Sequence, residues 1–574
     1  MIHRCQFLYR LKKYSALILL LLAFACFPPL LHATLPNVTI KGVSGPLLLN
    51  VEYRLGEMYK GKSIVQQPEE ELRKQVANAL YPYGYFKPEI SIHRVTRQLK
   101  IYIKLGPQLH ITSVNIRVIG EGARNPDIQQ TLRNLPLKIG QPFDTVQYND
   151  AKDTLLNCAE HQGYLRAAFD TSQLHIDQSR YTADITWVLN TGPRSYFGQI
   201  RFDPTYISPE LLHRYVPFKF GQPYSTDKVL QLNSNLASSN YFKVVNVKPT
   251  ITTSQFVPLE INLQSKQPIQ YSVGMGYGTD TGARGRLGLN VIPVNSAGHK
   301  FKAIAQGSIE QNTIQGQYII PGTNPINDNY NINGGLTNLH YNAGRSNSIH
   351  FGLAQQHLTQ NFQRTLSLNG LNERYNYTGF PDNTETILFP KAVFTWSKTD
   401  EILFSPSGYK ITAIGLAAST ALLSQVSLFQ STVDARAALT VDAIRTRFYL
   451  HAIQSFTAMN NVYQLPLSLA QLLGGAENLK GYSFNSIGPG KITSYGGLEI
   501  QKETVHKLYL LGFMDAGDVY NPSLKKYQYD AGVGIMWVSP VGPIKIAMAQ
   551  AITGKFERIP NHSPKLVVNM GPDL

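Results

Sequence analysis

From about Pro268 onward, apolar residues alternate with small or polar ones in short segments divided by Gly, Asn, Asp and Pro clusters. In Ile269-Gln270-Tyr271-Ser272-Val273-Gly274-Met275-Gly276-Tyr277-Gly278 the odd positions are apolar and the even ones small or polar. Leu508, Leu510 and Met514 alternate with Tyr509, Phe513 and Asp515, with Gly512 on the greasy parity. Tyr529, Ala531, Val533, Ile535 and Trp537 alternate with Gln528, Asp530, Gly532, Gly534 and Met536, and Ile544, Ile546 and Met548 with Lys545 and Ala547. Successive strand residues point to opposite faces, so this pattern predicts one face for lipid and one for a lumen. Roughly 300 residues at about 10 per strand, plus turns and long loops, predict a 16-stranded transmembrane antiparallel β-barrel over residues 268–574. A soluble sandwich also alternates; a secretion signal and the persistence of the pattern to the last residues favour the barrel. Ile411 to Phe429 lacks charge but is broken by Gly415, Ser419, Thr420, Ser424, Gln425 and Ser427, and reads as two strands with a turn rather than a membrane helix.

The first 33 residues read as a cleaved signal peptide. Arg4, Arg10, Lys12 and Lys13 precede an apolar stretch from Tyr14 to Phe27, and Leu31-His32-Ala33 supplies a small-residue cleavage site. From Thr34 to about Gln267 the chain repeats with a period of about 80 residues. Gly84-Tyr85-Phe86 returns as Gly163-Tyr164-Leu165 and as Asn240-Tyr241-Phe242; Lys138-Ile139-Gly140-Gln141-Pro142-Phe143 returns as Lys219-Phe220-Gly221-Gln222-Pro223-Tyr224. Each unit reads strand, helix, helix, strand, strand, giving three α+β modules over 34–107, 108–194 and 195–267. In the second, Val114 to Ile119 alternates as a strand, Ile128 to Leu135 and Val146 to Cys158 have helical spacing with Asp144 as cap, and Tyr164 to Phe169 and Thr182 to Leu189 supply the last strands. The glycine of the recurring turn permits the bend out of the second helix, and the aromatic pair pins the next strand.

Composition fits this division. Only 16% of residues are charged, low for a soluble protein, and the 32 Tyr and 45 Gly suit interfacial girdles and closely packed strands. The net charge of +16 permits attraction to acidic lipid or an acidic partner. No zinc pattern, basic helix or aromatic RNA-binding motif accompanies it, so nucleic acid is not expected. Cys5 and Cys26 fall in the signal and leave Cys158 alone, a packed small hydrophobe. Gly488-Pro489-Gly490-Lys491-Ile492 lacks the Ser/Thr and spacing of a phosphate loop, and no zinc-protease or nucleophile-elbow pattern occurs. No enzyme and no cofactor are expected.

Chemistry concentrates in one loop. Gly474 to Pro489 is rich in Gly, Asn and Ser and carries a single cation, Lys480, within Leu479-Lys480-Gly481-Tyr482. Two later strands each place an acid on the non-greasy face: Glu499 in Gly497-Leu498-Glu499, and Asp515 in Phe513-Met514-Asp515-Ala516-Gly517. A buried carboxylate needs a cation, so the loop is expected to fold into the barrel and bring Lys480 to Glu499, Asp515 or both.

Leu479 to Tyr482 resembles the VRG[FY] motif of the BamA/TamA outer-membrane assembly superfamily, and Gly497-x-Glu499 and Phe513-x-Asp515-x-Gly517 resemble its two partner strand motifs. The Gly-Gly-x-x-Asn pattern, Ser539-Pro540-Val541-Gly542-Pro543 and the ending Gly571-Pro572-Asp573-Leu574 are most similar to the TamA branch. Lys480 departs from the family's Arg, and an ammonium cannot fork onto a carboxylate as a guanidinium does. The resemblance implies that the three modules are polypeptide-transport-associated (POTRA) domains, in the periplasm below an outer-membrane barrel. It implies a translocation and assembly module with an inner-membrane partner of the TamB kind, outer-membrane protein clients such as autotransporters, and contact with outer-membrane lipid. The modules are read either as edges for β-augmentation or as spacers. A two-partner secretion pore would be expected to carry two modules and a plug helix, BamA five modules, and a plain porin neither repeats nor loop motif.

The closing seam completes the expectation. The first strand, near Ile269 to Gly278, would pair with the last, near Lys565 to Gly571. Gly274 and Gly276 weaken the one, and Gly571-Pro572 cuts the other short. Tyr271, Val273, Gly274 and Gly276 are therefore expected to face Val568, Met570 and Gly571 across a weak lateral gate, with a Val273–Val568 crosslink as its test.

Overall fold

The computed structural model describes residues 38–58, 64–95, 98–280, 282–399, 403–522, 526–540, 542–555 and 557–571. The signal-peptide expectation, residues 1–33, and the terminal Pro572-Asp573-Leu574 lie outside them. The chain packs as two compact units: one holds the first two modules with residues 195–198, 220–227 and 251–257 of the third, the other the rest of the third module and the barrel.

The first module comprises β1 (Val38–Lys41), α1 (Pro46–Met58), α2 (Glu69–Leu80), β2 (Glu89–Val95) and β3 (Gln98–Lys104). The second comprises β4 (His110–Ile119), α3 (Pro126–Arg133), α4 (Thr145–His161), β5 (Ala168–Asp177) and β6 (Thr182–Asn190). The third comprises β7 (Tyr196–Phe202), α5 (Pro209–His213), α6 (Thr226–Ser238), β8 (Phe242–Pro249) and β9 (Phe256–Ser265). In each, the last strand takes the middle of a three-stranded sheet: β1-β3-β2, β4-β6-β5 and β7-β9-β8. That position explains why the last strand alternates most cleanly: Ala183, Ile185, Trp187 and Leu189 of β6 are all buried, each large side chain contributing about 1.5–3 kcal/mol. Asp144 caps α4 by accepting from the Val146 and Gln147 amides. The strand expected at Tyr164 to Phe169 starts only at Ala168; Tyr164 is instead buried in the core at the end of the preceding turn.

That turn does more than bend the chain. Gly84 (φ +82°) accepts at its carbonyl from Leu109 N–H at 3.0 Å, and a Cβ there would lie 2.8 Å from the Phe143 carbonyl oxygen. Gly163 (φ +92°) repeats this one module later: it accepts from Ser195 N–H at 2.8 Å, and a Cβ would lie 2.6 Å from the Tyr224 carbonyl oxygen. Each glycine turn is thus the socket for the Gly-Gln-Pro-Phe/Tyr segment of the next module. At the third turn Tyr241 meets the barrel instead. Its hydroxyl donates to the Gly298 carbonyl at 2.6 Å, Ser208 N–H donates to the Ser296 carbonyl at 2.8 Å, and Arg214 Nη2 to the Pro321 carbonyl at 3.1 Å. Burial raises the Tyr241 pKa, so the hydroxyl stays a donor.

The barrel strands are β10 (Ile269–Gly278), β11 (Gly282–Val291), β12 (Lys300–Gly307), β13 (Gln311–Pro321), β14 (Asp328–Tyr341), β15 (Gly344–Leu358), β16 (Phe362–Tyr377) and β17 (Asn383–Thr399). They continue as β18 (Gly408–Ala418), β19 (Leu428–Val441), β20 (Thr446–Ala458), β21 (Ile492–Val505), β22 (Leu508–Tyr520), β23 (Gln528–Ser539), β24 (Gly542–Ile552) and β25 (Lys565–Met570). They form one 16-stranded sheet of sequential antiparallel neighbours, β10 to β25. The parities read from sequence hold: Leu508, Leu510, Met514, Val533, Ile535 and Trp537 are exposed on the outer face, while Phe513, Asp515, Asp530 and Met536 are buried inside. Turns touched by the third module mark the near end; the β20–β21 connection, residues 459–491, enters from the far end and folds into the lumen.

The two edge strands do not form the ladder expected of a closed barrel. β10 pairs with β11 and β25 with β24, and across the seam Val568 N–H donates to Thr279 Oγ1 at 3.2 Å. The expected Val273–Val568 neighbourhood is corrected accordingly. Strand tilt staggers the register around a barrel, so the short β25 meets the far end of β10, and Val273 lies six residues, about 20 Å, back along the strand from Thr279. Tyr271 and Val273 therefore lie on an edge without a ladder partner among the described residues, whereas Gly274 and Gly276 of β10 and Met570 of β25 line one small pocket, so that part of the expected seam does come together, without ladder hydrogen bonds.

Candidate functional site

The inserted loop is built to present one ammonium. Gly474 and Gly475 adopt positive φ (+112° and +115°), and Asn478 Oδ1 accepts from both Gly474 N–H and Leu479 N–H at 2.7 Å. Gly475 N–H and Tyr482 N–H donate to the Leu479 carbonyl at 3.0 and 3.1 Å. Leu479 is fully buried against Leu473, Tyr482, Tyr495, Val519 and Ala551, which seats the tight turn on the wall and aims Lys480 along it.

Lys480, 7% exposed, reaches strands β21 and β22. Its Nζ donates to Asp515 Oδ2 at 2.9 Å, lies 3.4 Å from Glu499 Oε1, and stands 4.6 Å from the Phe513 ring centroid. The acids, 0% and 4% exposed, have further partners. Tyr495 OH donates to Asp515 Oδ1 at 2.8 Å; Lys545 Nζ and Gln501 Nε2 donate to Glu499 Oε2 at 2.8 and 2.9 Å. Gly481 N–H donates to Asp530 Oδ2 at 2.7 Å, and Tyr482 OH to the Tyr529 carbonyl at 3.3 Å. Two glycines are sterically required. A Cβ on Gly481 would lie 2.7 Å from Ala551 N, and one on Gly497 would lie 2.2 Å from Asp515 Oδ1. Gly517 sits beside Leu473 of the loop.

Sequence reasoning named Lys480, Glu499 and Asp515 but missed Asp530 and Lys545. Both lie on the lumen-facing parity of alternating strands, which was the available signal. Asp530 is the direct cross-strand partner of Asp515, which brings a second buried carboxyl to the place the loop's Lys480 and Gly481 N–H reach. Lys545 gives Glu499 a second cation beside Lys480.

The same loop is fastened at two further places. Its first lobe sits on β16 and β19: Ser468 N–H donates to Glu373 at 3.0 Å and its hydroxyl bonds the same carboxylate, Tyr377 OH donates to the Leu465 carbonyl at 2.8 Å, and Gln430 Nε2 to the Leu469 carbonyl at 3.2 Å. Its tip touches both sides of the seam. Ala476 N–H donates to Asp280 in the β10–β11 turn, and Lys565 Nζ, on β25, donates to Ser483 Oγ at 2.7 Å. Burial raises the Asp280 pKa above the ordinary carboxylate value, against the Ala476 N–H. A cavity of about 210 Å³ runs from Lys480, Glu499 and Asp515 to Asn569 and Met570 of the last strand. This arrangement has the means to bind, brace and release.

The Omp85 superfamily domain matches residues 212–557. The chain belongs to the Omp85 superfamily. Residues 37–105 match the first POTRA domain of TamA, so the N-terminal modules are POTRA-like and the chain is an Omp85 outer-membrane protein of the assembly or secretion class. Among solved structures it is similar to BamA from Haemophilus ducreyi lacking POTRA domains 1–3, at 16% identity and a TM-score of 0.68 over 80% of this chain and 98% of that one. CdiB from Acinetobacter baumannii aligns at 13% identity and a TM-score of 0.46, over 92% of this chain and 98% of that one. The BamA likeness speaks for the fold.

Proposed function

We propose that this Omp85 member inserts or secretes β-barrel clients, autotransporters among them, through the β10–β25 seam, with its modules in the periplasm and a TamB-like inner-membrane protein as partner. The observation that carries the reading is the seam. In a bilayer each unsatisfied backbone group costs several kcal/mol, yet among the described residues the free edge of β10 has no ladder partner. Such an edge is a template for an incoming strand. The loop supports the same reading, because Asp280 and Lys565 tie its tip to both banks of the seam while Lys480 anchors it to the wall. The first module's TamA-type match favours the TamB-like partner. No catalytic step or cofactor is part of this function.

The test is a reversible clamp. In cells, Thr279→Cys with Val568→Cys should form a disulfide and stop the surface appearance of an autotransporter client, and a reductant should restore it. Full client assembly with the bridge quantitatively closed would sink the gate.

A further inference from the structure

The interior wall of the barrel is segregated by charge. Direct cross-strand partners share a face, and the row Asn290, Lys302, Gln317, Asn333, Gly352 and Asn369 runs across β11 to β16. This is the lumen face, because Leu371, two residues beyond Asn369, and its partner Ile387 are buried with Leu465 of the inserted loop. Arg284, Arg286 and Lys391 fall on the same face, Arg286 opposite Gln306 and Lys391 opposite Ser367. The acids on this half, Glu373 and Glu385, sit at the level of the loop and are engaged by Ser468 and Asn383. The opposite half carries Asp434, Glu499, Asp515 and Asp530 together with the buried Arg447, and His451, Arg436, Lys545 and the loop's Lys480 and Gly481 N–H engage its acids. The loop thus spends its cation on the acidic half. Among the described residues Arg284, Arg286, Lys302 and Lys391 have no carboxylate partner.

A pocket of about 340 Å³ opens on the basic half, lined by Lys302, Gln315, Gln317, Asn333, His350 and Asn369. Amide and imidazole N–H groups around an ammonium are a donor set for anionic oxygens, and a low-dielectric wall concentrates the field of unpaired charges. We propose that this half-lumen is a binding chamber for anionic groups, phosphate or carboxylate, open to solution beside the inserted loop. It holds whatever passes the seam, since it rests on the wall charges alone.

The experiment uses the full chain in detergent with Cys158→Ser and one new thiol, Asn369→Cys. Rates of modification by an anionic and a cationic methanethiosulfonate reagent are each divided by the rate with a free thiol, and the parent without Asn369→Cys supplies the background. The anionic reagent should be favoured by about ten-fold or more at low salt. The preference should collapse in about 1 M salt, where charges are screened within about 3 Å, and in Lys302→Gln with Lys391→Gln, whose folding is checked by heat-modifiable mobility. A ratio near one, a cationic preference, a ratio indifferent to the two lysine substitutions, or no reaction with either reagent would overturn the proposal.

Discussion

Removing the Lys480 ammonium should release the loop while leaving the barrel standing. Lys480→Met keeps much of the apolar stem and deletes the charge. Asp515 would then retain Tyr495 OH, with the Asp530 carboxyl opposite it across the strands. Glu499 would retain Lys545 and Gln501, so its loss is smaller. Breaking a buried pair by removing one partner costs about 3–5 kcal/mol; because Glu499 stays compensated, about 3 kcal/mol is expected. The natural reporter is the Gly481 N–H, which donates to Asp530 when the loop is seated. If its exchange with solvent proceeds through loop release, hydrogen exchange there should quicken by about 150-fold, at one decade per 1.4 kcal/mol. Neutralising the partner as well, Lys480→Met with Asp515→Asn, should recover part of this, giving a coupling energy of about 2 kcal/mol. Lys480→Arg should exchange at the parental rate, since a guanidinium can fork onto the carboxylates. A coupling below about 0.5 kcal/mol, or parental exchange in Lys480→Met, would show that the ion pair does not hold the loop.

Gly481→Ala should unseat the same loop without touching any charge, because its Cβ would lie 2.7 Å from Ala551 N and 2.9 Å from Asp530 Cβ; Gly481→Ala that keeps protease resistance between residues 474 and 489 would refute the steric account. Gly163→Ala should loosen the joint between the second and third modules, since φ +92° and the Tyr224 carbonyl both exclude a side chain; limited proteolysis near residues 163–195 should accelerate, and an unchanged pattern would count against the socket.

Much of the architecture was legible because it rests on local periodicity. Alternation of period two, sustained past Pro268, carried both the barrel and the parity of Phe513, Asp515 and Asp530. Repetition of the Gly-Tyr-Phe and Gly-Gln-Pro-Phe signatures revealed three modules. Where the reading slipped, a tertiary demand had overridden a local pattern. Tyr164 looks like the start of a strand but is drawn into the core before β5 begins. The glycine turns look like simple bends, and their role as sockets depends on a partner segment some sixty residues further on, roughly a module's length.

Local pattern could therefore fix which residues face lipid, which face the lumen, and that Lys480 with Glu499 and Asp515 are odd residents of an apolar setting, because side-chain direction follows from strand geometry alone. It could not fix the register at which β25 meets β10, which accumulates from the tilt of every strand between them. Nor could it show that Asp530 stands opposite Asp515, that Lys545 shares Glu499, or that Asp280 and Lys565 tie the loop to both edges of the opening. Those depend on distances between residues far apart in the chain, and only closure of the sheet around the folded loop sets them.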